Sequence, residues 1–297
     1  MHKAVRQSDK LAYEKNHAKL FLMKNSLSYK AYLKSPYKSI KHSTYFEIYD
    51  ELFSRYRNRS ITFVEIGVLS GGSLFMWREF FGPKARIIGV DLNPIAKKWK
   101  EHGFEIYIGS QSDQRFWEEF IKDIGPLDVI LDDGGHKYEQ QIVTTEMLLS
   151  NVKDFGMLVV EDTHTSYMKS FGPKRYTFVN YSKKMIDKIN YRFGSFNPAQ
   201  SDKRVWSVQS FESIIAFHIN RQATNLVSER TNNGGIDDFA KDFRDFGNHG
   251  FWSIDFFQKI VSKFSYIKYN PGVRFLAKTW DYLGNYLIKR ESFKKYF

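Results

Sequence analysis

Short apolar runs alternate with longer amphipathic stretches between residues 61 and 217. The runs are rich in β-branched residues and predict strands at 62–66, 85–90, 105–108, 127–131, 157–160 and 213–217. The stretches repeat apolar residues every three to four positions and predict helices at 74–81, 95–102, 113–124, 138–150 and 183–191. This alternation predicts an α/β fold, a mostly parallel sheet with helices on both faces.

The predicted sheet is flanked by helical extensions. Residues 43–55 place Tyr45, Ile48, Tyr49 and Leu52 at helical spacing just before the first strand. Residues 231–235 are polar and glycine-rich and predict a mobile loop, and two amphipathic helices are predicted around 252–267 and 273–287. We therefore expect a helical N-terminal segment at 1–60, a sheet domain at 61–222 and a C-terminal extension at 223–297.

Two acidic pairs follow two of the predicted strands directly. Asp132 and Asp133 come after the run 127–131, and Glu161 and Asp162 come after 157–160. The carboxyl ends of neighbouring parallel strands meet at the crevice where open α/β sheets bind ligands. Carboxylates gathered there, with His136 close by in sequence, predict a site for a hard cation with a base beside it. Taken singly, each group also fits a plain turn or a structural histidine; their joint placement favours the site.

A glycine turn follows the first predicted strand, in Thr-Phe-Val-Glu-Ile-Gly-Val-Leu-Ser-Gly-Gly-Ser at 62–73. The spacing differs from Gly-x-Gly-x-x-Gly because Leu69 stands where the second glycine would be, so a pyrophosphate cradle is disfavoured. Glu65 at the strand end could anchor an amine or a hydroxyl. Asp91, which closes the second strand, could accept both hydroxyls of a ribose or could cap a helix. Residues 109–113 could contact a purine edge or cap the helix that follows.

Composition narrows the class of protein. The chain has 297 residues, 42% of them hydrophobic, and is of globular type. It has no cysteine, which excludes disulfides, thiolate zinc sites and cysteine nucleophiles. The first residues lack a signal-peptide core, and no run approaches a membrane span, so a cytoplasmic location is expected.

The net charge is +12, and residues 251–297 carry about half of the excess. A nucleic-acid partner, an anionic membrane surface and a solvated basic surface all fit this charge.

Together these motifs resemble class I S-adenosylmethionine-dependent methyltransferases. The resemblance is to metal-dependent macrolide-sugar O-methyltransferases and to the rhamnosyl O-methyltransferase/cephalosporin hydroxylase family. It covers roughly residues 38–220 and depends most on Asp-Asp-Gly-Gly-His at 132–136 and Glu-Asp-Thr-His-Thr-Ser-Tyr at 161–167. Residues 206–215 resemble the closing hairpin of such enzymes, which implies an antiparallel closing strand. Gly135 departs from the pattern, because a serine is common there.

The resemblance implies a role for each motif residue. The implied contacts to S-adenosylmethionine are Glu65, Gly67, Gly71, Asp91, Ser110, Gln111 and Asp132, with Lys41 and Tyr45 from a segment that folds over the cofactor. The implied ligands of a divalent ion, usually Mg²⁺, are Asp133, Glu161 and Asp162. His136 is implied as the general base, with Asp133 beside it in catalysis, and His164 and Tyr167 as acceptor contacts.

The implied reaction is methyl transfer to a sugar hydroxyl of a glycan or glycosylated natural product. Two alternatives stay open at this point, a nicotinamide oxidoreductase and a basic nucleic-acid-binding protein. Leu69 in the glycine turn argues against the first, and the acidic cluster, which would repel a phosphate backbone, argues against both. We expect a homo-oligomer and no nucleic-acid partner. The tail helices could pack on the chain's own core, form an oligomer interface or make peripheral contact with an anionic inner membrane face.

Overall fold

The computed structural model describes residues 24–193, 200–236 and 294–296. The chain divides into two compact units after Glu229. The strands of the first unit are β1 Thr62–Ile66, β2 Arg86–Asp91, β3 Glu105–Ile108, β4 Leu127–Asp132, β5 Val152–Val160, β6 Ser207–Ser210 and β7 Ile215–His218. Its α-helices are α1 Leu27–Lys34, α2 Tyr45–Phe53, α3 Gly72–Phe81, α4 Gln114–Ile124, α5 Tyr138–Leu148, α6 Phe178–Asn190 and α7 Arg221–Asn225.

The seven strands form one sheet in the order β3-β2-β1-β4-β5-β7-β6. Strands β1 to β5 pair in parallel, while β7 pairs antiparallel with both β5 and β6. The predicted α/β fold with an antiparallel closing strand is therefore confirmed. The central strands β1 and β4 direct their carboxyl ends to the same edge of the sheet, which is where the predicted site residues follow.

Alternate residues of each strand bury opposite faces of the sheet, as the pleat requires. Phe63 of β1 packs with α2 and α3 on one face, against Phe53, Trp77 and Phe81. The next residue, Val64, joins the cluster on the other face, which includes residues of α4, α5 and α6. Each face thus has its own apolar core, and helices cover both.

The N-terminal helices are fixed to each other by a carboxylate. Asp50 of α2 accepts hydrogen bonds from the backbone N–H groups of Leu27 at 2.7 Å and Ser28 at 2.8 Å, at the start of α1. This arrangement satisfies amide groups that the first turn of a helix leaves without partners. Residues 35–44 connect the two helices, and Lys38, Ser39 and Ile40 of this connection border the same space as the carboxyl end of β1.

Several predicted bounds differ from the observed ones. The helix predicted at 183–191 begins at Phe178, because Thr177 caps it by accepting a hydrogen bond from Asn180 N at 3.1 Å. Strand β5 begins at Val152 instead of residue 157; the strand pairing shifts register near its start, and Phe155 has a positive φ. Residues 94–102 form a 3₁₀-helix.

The predicted tail helices lie outside the described residues. Within the described part of the second unit, residues 230–236 contain no helix or strand, and Lys294–Tyr296 form a 3₁₀ turn. No helix in the described ranges is long and apolar enough to cross a membrane. The three-part division of the chain, the oligomeric state, the peripheral membrane contact and the cytoplasmic location stay predictions.

Candidate active site

A cavity of about 420 Å³ opens at the carboxyl ends of β1, β2 and β4. It is lined by the turn after β1, the ends of the next strands and the segment before α2. The lining residues are Lys38, Ser39, Ile40, Ile66, Gly67, Val68, Leu69, Ser70, Gly72, Ser73, Val90, Asp91, Leu92, Gly109, Ser110, Gln111, Asp133, Gly134, Gly135, His136, Gln140 and Asp162. The crevice predicted from strand ends is thus present.

The strand ends are held in register beyond the sheet itself. Asp133 N donates to Ile66 O at 2.9 Å, and Glu161 N donates to Asp132 O at 2.9 Å. Because the backbone pairing continues past the last strand residues, the loops after β1, β4 and β5 stay side by side. Their side chains therefore converge on the cavity.

Gly67 allows the turn after β1 to approach the loop after β4. Its φ is +92°, and a Cβ there would lie 2.1 Å from Asp133 O. Glycine is the residue that adopts this φ without a steric penalty. Any larger residue would push away the backbone that carries Asp133.

Asp91 holds the same turn from the other side. Its Oδ2 accepts from Val68 N at 2.8 Å and Leu69 N at 2.9 Å, and its Oδ1 accepts from Asn93 N at 2.8 Å. The carboxylate therefore shapes the turn and also borders the cavity. Beside it, Leu69 has φ +46° and is 81% exposed, which is uncommon for a leucine.

Gln111 joins β4 to the loop that follows it. Its Nε2 donates to Asp132 Oδ1 at 3.0 Å, and its Oε1 accepts from Gly135 N at 2.7 Å. Asp132 is fully buried, and burial raises its pKa to about 7. Gln111 lines the cavity, whereas Asp132 lies behind it and supports the loop.

Glu65 also lies behind the cavity wall. Its carboxyl accepts from Ser73 Oγ at 2.7 Å and Trp77 Nε1 at 2.9 Å, both on α3. Burial raises the pKa of Glu65 to about 7, although the nearby Lys41 ammonium lowers it. Glu65 fixes α3 to β1, so any effect on a ligand passes through Ser73.

Asp133, His136 and Asp162 form a cluster at one end of the cavity, with potential ligand atoms within 4.8 Å of one another. His136 Nε2 lies 3.3 Å from Asp162 Oδ2 and 3.9 Å from Asp133 Oδ1. Both His136 and Asp162 have positive φ, values of 56° and 54°. Such backbone conformations cost energy and concentrate at functional sites. The other ring nitrogen of His136, Nδ1, is buried and has no hydrogen-bond partner among the described residues.

Glu161 points away from this cluster into the protein. Tyr49 donates to its Oε1 at 2.5 Å, and Lys41 Nζ lies 3.1 Å from its Oε2. Lys41 also contacts Asp133 Oδ2 at 2.6 Å. Burial opposes the charge on Lys41, but the Asp133 and Glu161 carboxylates outweigh burial and raise its pKa. Burial and the Asp133 charge raise the pKa of Glu161 well above its usual range.

The Oδ1 atom of Asp162 contacts a second group of polar side chains. Tyr45 donates to Asp162 Oδ1 at 2.5 Å and contacts Ser213 Oγ at 2.8 Å. His164 Nδ1 lies 2.5 Å from the same Ser213 oxygen. This network ties the hairpin of β6 and β7 to the loop after β5. Tyr167, on the same loop, is 79% exposed and is not among the residues that line the cavity.

The predicted site residues are therefore divided between the cavity and its supports. Gly67, Asp91, Ser110 and Gln111 line the cavity, whereas Glu65, Gly71, Asp132, Lys41 and Tyr45 are not among its lining residues. A Cβ on Gly71 would overlap the Trp99 ring, so this glycine serves packing. Of the predicted metal ligands, Asp133 and Asp162 face each other beside His136, and Glu161 lies on Lys41.

Two side chains of the site, Tyr49 and Ser213, were not predicted as functional residues from the sequence. Tyr45 and Tyr49 are four residues apart on α2 and so share one face, and that spacing was a signal available in the sequence. Ser213 reaches Tyr45 and His164 only because the hairpin folds back on the loop after β5.

Comparisons with known proteins identify relatives of the chain and solved structures that share its fold. No protein-family model matches the chain. It is 30% identical over 205 residues to mycinamicin VI 2''-O-methyltransferase of Micromonospora griseorubida, an alignment that covers 63% of this chain and 49% of the relative. It is 29% identical over 205 residues to 8-demethyl-8-alpha-L-rhamnosyl tetracenomycin-C 2'-O-methyltransferase of Streptomyces olivaceus, covering 64% and 51%.

Among solved structures, the chain is similar to MycE methyltransferase in complex with Mg, SAH and mycinamycin VI. The TM-score is 0.57 at 26% identity, over 71% of this chain and 56% of that one. The chain has the class I methyltransferase fold. It spans about half the length of the curated relatives it matches. In this methyltransferase fold, the cavity and the Asp133 cluster occupy the edge of the sheet where its parallel strands end.

Proposed function

We propose that the protein is an S-adenosylmethionine-dependent, divalent-metal-assisted O-methyltransferase that acts on a sugar hydroxyl. One observation supports this most strongly: Asp133, His136 and Asp162 lie together at one end of a cavity in a methyltransferase fold. The relatives' names supply the acceptor class, because these proteins methylate sugars on macrolide or tetracenomycin compounds.

The cavity fits the nucleoside part of S-adenosylmethionine. Its volume is within the range of small-molecule sites, about 300–1,000 Å³. Asp91 offers a carboxylate beside the turn, while Leu69 and Leu92 offer exposed apolar side chains that border the same space. Glycines leave room along the wall: a Cβ on Gly134 would lie 2.1 Å from Gln111 Oε1. When bound, S-adenosylmethionine supplies an electrophilic methyl group on a sulfonium.

The acidic cluster fits a hard divalent ion. Asp133 and Asp162 provide the oxygen ligands that Mg²⁺ prefers, and both side chains are about one-fifth exposed and so reachable from the cavity. When bound there, the ion supplies Lewis acidity to the acceptor hydroxyl.

His136 is the proton acceptor in this proposal. Its Nε2 faces the two aspartates and lies on the side where the hydroxyl would be held. Once Nε2 has taken the hydroxyl proton, Asp162 Oδ2 at 3.3 Å accepts its hydrogen bond and stabilises the imidazolium. In this proposal His164 and Tyr167, on the loop that follows Asp162, contact the rest of the sugar.

The test is methyl transfer from deuterated S-adenosylmethionine to a panel of sugars that includes methyl α-L-rhamnoside, followed by mass spectrometry. We expect transfer that EDTA abolishes and Mg²⁺ restores, and that H136N reduces about 10²–10⁴-fold. Asparagine suits the positive φ of His136, so this variant removes the base with little backbone strain. H102N is the matched control, because His102 is not among the residues that line the cavity. Transfer that is insensitive to both EDTA and H136N would contradict the proposal.

A further inference from the structure

The ammonium of Lys41 is the partner of two carboxylates at the inner edge of the site. Its Nζ lies 2.6 Å from Asp133 Oδ2, 3.1 Å from Glu161 Oε2 and 3.3 Å from Glu161 Oε1. The Lys41 side chain is 2% exposed. An ammonium has three donors, and carboxylate oxygens surround this one.

These contacts determine which carboxylate oxygens of the site remain available to a metal ion. Lys41 occupies Asp133 Oδ2, whereas Asp133 Oδ1 faces His136 at 3.9 Å. Both oxygens of Glu161 are engaged, by Lys41 and by the Tyr49 hydroxyl. Asp162 has no contact with Lys41 in the described part of the chain and is bound instead by Tyr45. A cation placed between Asp133 and Asp162 therefore meets one free oxygen of Asp133, and reaches Glu161 only if Lys41 withdraws.

Lys41 itself does not line the cavity, but the three residues before it in the chain do. Lys38, Ser39 and Ile40 line the cavity, and Ser39 O accepts from Tyr32 of α1 at 3.0 Å. The ion pair with Asp133 thus ties this segment to the loop after β4. Removal of one partner from a buried ion pair is destabilising, because it leaves an uncompensated charge.

We infer that Lys41 is a resident cation that competes with the divalent ion for Asp133 and Glu161 and so sets the affinity of the site for metal. The inference depends on the proposed function. When Lys41 holds the two carboxylates, its single charge offsets one of their two charges, and the ion pair ties the segment 38–41 to the loop after β4. With a divalent ion on these carboxylates, the ion pair that ties this segment to the loop after β4 would be lost. Lys41 is a positioning residue here and takes no part in proton transfer.

The test is Mn²⁺ binding by electron paramagnetic resonance on the full chain, with K41M as the variant. Methionine keeps most of the length of the side chain and removes its charge. We expect K41M to bind Mn²⁺ about tenfold more tightly than the wild type, the equivalent of about 1.4 kcal/mol. K34M is the matched control, because Lys34 pairs with Glu79 at 2.5 Å on the exposed surface. It should bind Mn²⁺ as the wild type does.

Thermal unfolding provides a second readout. K41M leaves two carboxylates without a cation, so its melting temperature should fall in EDTA and recover with Mg²⁺ by more than that of the wild type. K41M/E161Q removes both partners, which keeps the experiment interpretable if K41M does not fold in EDTA. This double variant should lose most of the gain in Mn²⁺ affinity, because Glu161 is no longer a carboxylate ligand.

The outcomes separate this inference from the proposed function. Unchanged or weaker Mn²⁺ binding by K41M, with a wild type that binds Mn²⁺, overturns the role of Lys41 and leaves the methyltransferase proposal intact. Binding by K41M but not by the wild type supports the competition. If neither protein binds Mn²⁺, both proposals fail.

Discussion

Substitution of Gly67 by alanine tests whether the turn after β1 really lies against the backbone of Asp133. Two costs add at this position. The φ of +92° is unfavourable for any residue with a Cβ, at about 1–2 kcal/mol. The new Cβ would also lie 2.1 Å from Asp133 O, 2.7 Å from Asp133 C and 2.9 Å from Gly134 Cα. Overpacking of this kind costs about 1–3 kcal/mol, and here backbone atoms must move.

The matched control is G103A, which separates the two costs. Gly103 has φ +79°, but a Cβ at this residue would have no heavy atom within 4 Å. G103A should therefore show only the conformational cost, and the effect of alanine on the unfolded chain is common to both variants. We expect urea unfolding to show that G67A is less stable than G103A by about 1–3 kcal/mol.

The same two variants also test whether the position of the Asp133 backbone matters for ligand binding. Because the Asp133 backbone must shift, G67A should also weaken Mn²⁺ and S-adenosylhomocysteine binding, whereas G103A should not. If the two variants agree within about 0.5 kcal/mol in stability and bind both ligands equally, the close approach of turn and loop is refuted.

Three further substitutions test other parts of the site. The pKa of Glu65 is about 7 in the folded protein against 4.5 for the free group, so the folded state retains the proton more strongly. The free energy of unfolding should fall as pH rises from 4.5 to 7, by about 3 kcal/mol for this group, and level off above. In E65Q the difference in this free energy between pH 5 and pH 8, measured by urea unfolding, should be smaller than in the wild type by about 2.5 kcal/mol. An unchanged difference would refute the raised pKa of Glu65. Y49F removes the hydroxyl that donates to Glu161 at 2.5 Å, and it should lower the free energy of unfolding by about 1–3 kcal/mol. Y167F, at an exposed tyrosine, is its control. Equal stability of the two variants would count against the hydrogen bond between Tyr49 and Glu161. H136N should lower kcat about 10²–10⁴-fold, whereas the affinity for S-adenosylhomocysteine, measured by calorimetry, should change little. A loss of that affinity with an unchanged kcat would assign His136 to cofactor binding instead of proton transfer.

Much of the fold followed from local patterns because each strand is a short apolar run with clear ends. The acidic pairs were located correctly for the same reason: Asp132 ends β4 and Glu161 directly follows β5, so both had to lie at the sheet edge. The predicted start of helix α6, residue 183, is five residues too late. The helix already begins at Phe178, directly after its capping residue Thr177.

The roles of individual carboxylates were harder to predict. Glu65 was expected at a ligand, yet it has the same strand parity as Phe63 and therefore points to the face covered by Trp77. The sequence allows two roles for Asp91, a ligand contact and a cap, and in the structure Asp91 both holds the turn after β1 and borders the cavity. The contacts that decide the roles of Glu65 and Asp91 each join residues from different elements, which local sequence patterns do not reveal.

Lys41 shows why part of the site is beyond local sequence reasoning. It is 92 residues from Asp133 and 120 from Glu161, and no periodicity relates them. Only the packing of the segment before α2 over the ends of β1 and β4 brings the three charges together. This packing decides that Glu161 pairs with Lys41 and that Asp162 lines the cavity.

Isothermal titration of the protein with S-adenosylhomocysteine, with and without Mg²⁺, tests the central claim most directly. We predict micromolar binding that D91A abolishes and D113A does not. Asp113 is a fair control, because it caps helix α4 through Arg115 N at 2.9 Å and lies outside the cavity lining. If no heat of binding is observed at any Mg²⁺ concentration, the assignment of this cavity to S-adenosylmethionine is contradicted.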